Sequence, residues 1–147
     1  MENVKRQTRI SMIAFSITSL LLVYIFQQFN YAAFFNKLLA LEMLTYPNVV
    51  FAINRTARLL INDTLCMVLI VALFQKRSYL RLSAIIFGFE VLVMLPLYLW
   101  IKLSMEGPSE ISSPLLSPIH RMIVNPLLMI VLIAAFYYQQ YMTSKAK

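Results

Sequence analysis

Apolar stretches of about 20 residues, each long enough to cross a bilayer core, occupy most of this chain and alternate with short clusters of Lys and Arg. An ordinary soluble fold has no use for that pattern: 61% of the 147 residues are hydrophobic and only 13% are charged. The mean hydropathy of +0.74 agrees. At this length three or four spans exhaust the chain, which leaves no room for a soluble catalytic domain. The expected fold class is therefore all-α. The chain reads as a single multi-pass domain, an integral membrane four-helix bundle with both ends on the cytoplasmic side.

The spans fall at about 10–29, 51–74, 82–103 and 118–141. A formal charge of +7 raises the question of nucleic acid, but the cations sit where Lys and Arg set membrane orientation. Lys5, Arg6 and Arg9 precede the first span, Lys76, Arg77 and Arg81 make the turn after the second, and Lys145 and Lys147 follow the last. No nucleic-acid partner is expected. The first span has a longer apolar core than a secretory signal, and no A-x-A site follows it, so it reads as an uncleaved anchor.

Residues 31–46 show no clean polar face, because Glu42 falls between Phe35 and Leu38 on a helical wheel. A short helix at the outer membrane surface, ending before Pro47, is expected there. The third span is interrupted by Glu90 and by Pro96, which should kink it. Tyr98, Trp100 and Lys102 near its outer end suit an interfacial belt. An outer loop follows at 105–117, with Glu106 and Glu110 but no basic residue. The last span opens on Ser117-Pro118, a cap followed by proline, and Tyr137, Tyr138 and Tyr141 mark its inner interface.

Chemistry concentrates on the second span. At 100° per residue, Arg55, Arg58, Asn62 and Cys66 form one stripe flanked by Asp63, and so polar a half must face protein or water. His120 and Arg121 on the fourth span lie at the same outer level, with Asn125 a turn deeper. The two helices can therefore share a polar pocket. Arginines in the first turns oppose the helix dipole, which calls for an anion: Asp63, Glu42, Glu106 or Glu110 within the chain, or a lipid phosphate or partner carboxylate outside it. The plainer alternative is that the arginines snorkel to lipid phosphates while Asn62, Asp63 and Asn125 bond between helices. Glu90, near the bilayer middle, is either a proton-transfer group or a carboxyl bonded to a neighbouring helix.

Cys66, His120 and the arginines nominally supply a nucleophile, a base and a charge stabiliser. Their depths argue against a joint role, since Cys66 lies about 18 Å below the outer boundary and His120 lies at it. A lone cysteine makes no intrachain disulfide and no cysteine zinc cluster, and no phosphate loop or hydrolase elbow is present. No metal site and no cofactor are expected.

Ile53-Asn54-Arg55 with Arg58 and Asn62-Asp63, the segment Leu73-Phe74-Gln75-Lys76-Arg77, and the run from Pro114 to Pro126 followed by Ala135-Phe136-Tyr137-Tyr138-Gln139 resemble the exosortase F system-associated proteins. These are small multi-pass membrane proteins of Bacteroidetes encoded beside an exosortase, and the resemblance covers roughly residues 48–140. It implies an accessory role in the bacterial inner membrane beside a cysteine transpeptidase-like enzyme that processes sorting signals. It carries over no catalytic residue. Exosortases use Cys, Arg and His in that order, whereas here Arg55 and Arg58 precede Cys66.

The expected function is thus a non-enzymatic accessory protein that binds exosortase, its substrate or an anionic lipid. Its pocket would hold Arg55, Arg58, Asn62, Asp63, His120, Arg121 and Asn125. The other reading is a small membrane enzyme or carrier that acts on an anionic lipid through the same pocket, with Asp63 or His120 as proton acceptor.

Overall fold

The structure is a computed structural model that describes residues 2–39, 46–109, 113–114 and 116–145. The described residues form helices and no strand: α1 (Glu2–Ile25), α2 (Tyr31–Leu39), α3 (Pro47–Phe74), α4 (Arg77–Phe89), a π turn (Glu90–Met94), α5 (Leu95–Met105), α6 (Ser117–Val124) and α7 (Leu127–Lys145). α4, the π turn and α5 run on as one rod, Arg77–Met105. That rod, α1, α3 and α7 are each long and apolar enough to cross a membrane. They alternate in direction. We call the end where α3 begins the upper end, and the end holding Arg9, Lys76 and Lys145 the lower.

α3 is the central post. Half of its span is buried inside the bundle, against 6% for α1, 17% for the α4–α5 rod and 11% for α7. α1, α2, α4, α5, α6 and α7 all pack on it. The remaining faces are apolar and uncovered, as at Ile85, Leu92 and Val131, which is how a bundle meets lipid instead of water. Two apolar clusters hold the post. At the lower end Cys66, Ile70 and Phe74 meet Tyr79, Met129, Leu132 and Phe136. There the Tyr79 and Phe136 rings stack 4.1 Å apart with Phe74 edge-on to both. At the upper end Phe51 and Leu59 meet Leu95, Tyr98 and Ile123.

Local chemistry sets the helix ends. Pro47 opens α3, where a missing N–H costs nothing, and Tyr46 before it is extended as a pre-proline residue must be. At the other end Gln75 turns left-handed at φ 54°, and its N–H reaches the Val71 carbonyl. Arg9 completes this terminus: its Nε and Nη2 each donate at 2.7 Å, to the carbonyls of Ala72 and Leu73. A guanidinium there satisfies orphan carbonyls and complements the negative end of the dipole. The leader arginine therefore also ties α1 to α3.

α2 starts on Asn30, whose Oδ1 accepts from the Ala33 N–H at 3.0 Å, an ordinary N-cap. Asn54 of α3 braces the same turn, accepting from the Ala32 N–H at 2.9 Å and donating to Asn30 Oδ1 at 3.2 Å. The expected short helix between the first two spans is thus present and packed on α3. Its continuation, with Glu42, lies outside the described residues.

Several boundaries differ from the sequence reading. The spans begin earlier than expected in the first three cases, at Arg6, Pro47 and Arg77, because polar and basic residues extend the helices beyond their apolar cores. Pro96 perturbs the third span through the π turn, in which the Leu95 N–H bonds to the Glu90 carbonyl five residues back. The last span is not continuous. It breaks after Val124: Asn125 is extended at φ −113°, ψ 143°, the conformation that a following proline favours. The apolar run hid this break because Pro126 interrupts it without changing its hydropathy. At the start of α6, Ser117 makes no capping bond, and Leu116 occupies the cap position instead.

Candidate functional site

The polar residues of α3 point inward. Arg55, Arg58, Asn62 and Asp63 are all buried, at 2, 7, 5 and 1% exposure. Four-residue spacing and the stripe geometry make this one face, and the bundle turns that face away from lipid. The Arg55 guanidinium also lies over the Phe51 ring, 4.9 Å from its centre, so a neighbouring aromatic turn helps hold the charge.

Arg55 and Arg58 line a cavity of about 460 Å³ at the upper end. Gln27 and Gln28 at the close of α1, with Asn54 and His120, provide its other polar walls, and Phe29 and Val124 complete it. No carboxylate lines it among the described residues. Guanidinium and amide groups are donors in fixed geometry, so the wall suits an anionic oxygen-bearing group.

A second, apolar hollow of about 390 Å³ runs down between α1 and α7. It shares Gln27, Arg58 and Val124 with the polar cavity, and Asn62 and Asn125 lie on its wall. The break between α6 and α7 sits where the two meet. Asn62 fixes that break, its Nδ2 donating at 3.0 Å to the Val124 carbonyl.

The structure brings together only part of the sequence-derived set. Arg55, Arg58 and His120 share the polar cavity, and Asn62 and Asn125 meet the adjoining hollow. Arg121 lines neither and is exposed, because α6 presents His120 and Ile123 to the bundle and turns residue 121 outward. Asp63 lines neither as well. It lies beside Glu90 at the π turn, and the two carboxyl groups are buried together in the bundle. Asp63 Oδ2 and Glu90 Oε2 are buried with no hydrogen-bond partner. Cys66 is a free thiol in the lower apolar cluster, apart from the cavity that His120 lines.

The interfacial belt expected at Tyr98, Trp100 and Lys102 divides. Trp100 is 71% exposed, but Tyr98 and Lys102 are buried at 1 and 0%. Tyr98 Oη and His120 Nδ1 share a hydrogen bond at 2.5 Å, which ties α5 to α6 and sets the imidazole on the cavity wall. Lys102 Nζ donates to Glu106 Oε2 and, at 3.3 Å, to Ser109 Oγ. Glu106 Oε1 accepts from the Ser113 N–H at 2.9 Å. Hydrogen bonds from Lys102 and Ser113 hold the Glu106 carboxyl down at about 2, against an ordinary 4.5. Glu106, one of the carboxylates considered as a partner for the arginines, instead clamps the loop above α5. Glu110 lies outside the described residues.

Tyr98, Lys102 and Glu106 were legible as a four-residue repeat that places them on one helix face. Tyr98 and Lys102, aromatic and cationic at a span end, read as a membrane interface instead, and Glu106 as part of the outer loop. Gln27 and Gln28 carried no periodic signal.

No protein-family model, curated protein or solved structure matches the chain.

Proposed function

We propose that this chain is a non-enzymatic membrane module that holds an anionic group in the upper cavity. The observation that carries the reading is the cavity wall: Arg55 and Arg58, buried within the bundle, face a space edged by Gln27, Gln28, Asn54 and His120. Burying guanidinium groups in a membrane bundle is costly, and their usual role is to meet an anion or a water-filled path. A carboxylate or phosphate presented by a lipid, a substrate or a partner would be held by charge-assisted, bidentate bonds.

The basic clusters at the lower end support an orientation with that end in the cytoplasm, both termini inside and the cavity outside. The resemblance at residues 48–140 supports the bacterial inner membrane as the location and exosortase as the partner. The enzyme or carrier reading needs a proton acceptor at the cavity, and His120 is the residue available there.

The test is anion binding by the purified chain, read as thermal stabilisation by glycerol phosphate, for the natural sequence and for Arg55→Gln and Arg58→Gln. Each neutralisation is expected to weaken binding by about tenfold or more, the effect of losing a hydrogen bond to a charged group. Equal stabilisation of all three proteins would end the proposal. Turnover of a bound lipid that disappears in His120→Gln would favour the enzyme. Exosortase that is extracted without this chain and processes its substrate normally would remove the accessory role.

A further inference from the structure

We infer that the ligand of the cavity is a phosphate-bearing membrane lipid whose head meets Arg55 and Arg58 and whose acyl chain leaves through the hollow between α1 and α7. This rests on the anion-binding reading above and adds the second half of the ligand. The polar cavity and the apolar hollow are not separate features: Gln27, Arg58 and Val124 belong to both. A molecule occupying the two at once must change from anionic to apolar within a few ångströms, at the level of Arg58. A glycerophospholipid does this where its phosphate joins its chains.

The lining follows the same division. On one side stand guanidinium, amide and imidazole groups; on the other are Ile17, Leu20, Leu21, Leu127 and Ile130. The apolar part extends about 10 Å along α1 between Tyr24 and Ile17, the length of seven residues of helix. Leu21 and Ile130 are half-exposed on its two walls, which leaves the hollow open sideways to the bilayer. A chain can therefore enter from the membrane without first crossing water.

The helix break makes room for the junction. A continuous α6–α7 helix would keep its carbonyls paired; the extended Asn125 instead leaves the Val124 carbonyl to Asn62, on the wall between head and chain. Irregular backbone at membrane depth is tolerated where it lines a cavity. Here the cavity it lines is the seam between the two parts of the proposed ligand.

The experiment uses the full chain in nanodiscs or mild detergent, with lipid binding read by native mass spectrometry. The probes are dioleoyl phosphatidylglycerol, dioleoyl phosphatidylcholine, glycerol phosphate and inorganic phosphate. Phosphatidylglycerol is expected to bind at least about tenfold more tightly than phosphatidylcholine and than either soluble phosphate. Leu21→Trp and Ile130→Trp, which fill the hollow from opposite walls, are expected to weaken phosphatidylglycerol by about tenfold and to leave glycerol phosphate unchanged. Both positions already face outward, so a large side chain is compatible with the fold.

Tryptophan variants that bind phosphatidylglycerol as the natural chain does would overturn the inference, as would inorganic phosphate binding as tightly as the lipid. Either result leaves the anion-binding reading standing if Arg58→Gln still weakens every anionic probe. Should Arg58→Gln and Arg58→Lys both bind every probe like the natural chain, the anion-binding reading falls, and this inference with it.

Discussion

Asn62→Leu removes the donor of the bond that fixes the helix break and keeps the branched shape of asparagine, with bulkier methyl groups in place of the amide. Asn62 is 5% exposed, and its Nδ2 lies 3.0 Å from the Val124 carbonyl. An interhelical hydrogen bond of this kind inside a membrane bundle contributes about 0.6 kcal/mol, and at most about 1.7. Asn62→Leu is therefore expected to cost at least about that much, its extra bulk adding to the loss where the site is tightly packed. Asn62→Ala loses the same bond and also opens a void of roughly 25 Å³, which at about 24 cal/mol per Å³ adds about 0.6 kcal/mol. The alanine variant should thus have a combined cost of about 1–2 kcal/mol. The assay is reversible unfolding in mixed micelles, fitted to a linear dependence on denaturing detergent. Two variants both within about 0.3 kcal/mol of the natural chain would refute the reasoning that the amide carries this joint.

Three further outcomes are expected. The Glu106 carboxyl titrates lower in the folded chain than its ordinary 4.5, so its clamp on Lys102 and Ser113 contributes stability above that pH and loses it as pH falls toward 2; a stability difference between the natural chain and Glu106→Gln should shrink across that window, and a flat difference would refute the clamp. Arg9→Ala removes two charge-assisted bonds from the last carbonyls of α3 at a partly exposed site, an expected loss of about 1 kcal/mol, visible as faster amide exchange in the final turn of α3. Pro96→Ala restores a donor and relieves the ring clash, so it should stabilise the rod by about 1–3 kcal/mol in the same micelle assay; a destabilised variant would mean that the π turn, not the proline, is what the packing requires.

The sequence by itself determined the class of structure. Apolar length required helices, since a backbone in lipid must satisfy its own hydrogen bonds, and the proline and basic clusters marked where the helices turn. It also singled out α3, because Arg55, Arg58, Asn62 and Asp63 cannot all face lipid. Direction around the other helices was a different matter. Lys102 and Trp100 sit two residues apart at one span end, and hydropathy treats both as interfacial; packing turns one fully inward to Glu106 and leaves the other facing out. Arg121 and His120 are adjacent, and only the rotation of α6 decides which meets the cavity. The tertiary structure alone set Asp63 against Glu90 and joined the polar cavity to the apolar hollow. Periodicity along one helix fixes which residues share a face, whereas the partner of that face depends on contacts between residues far apart in sequence, which no local pattern encodes.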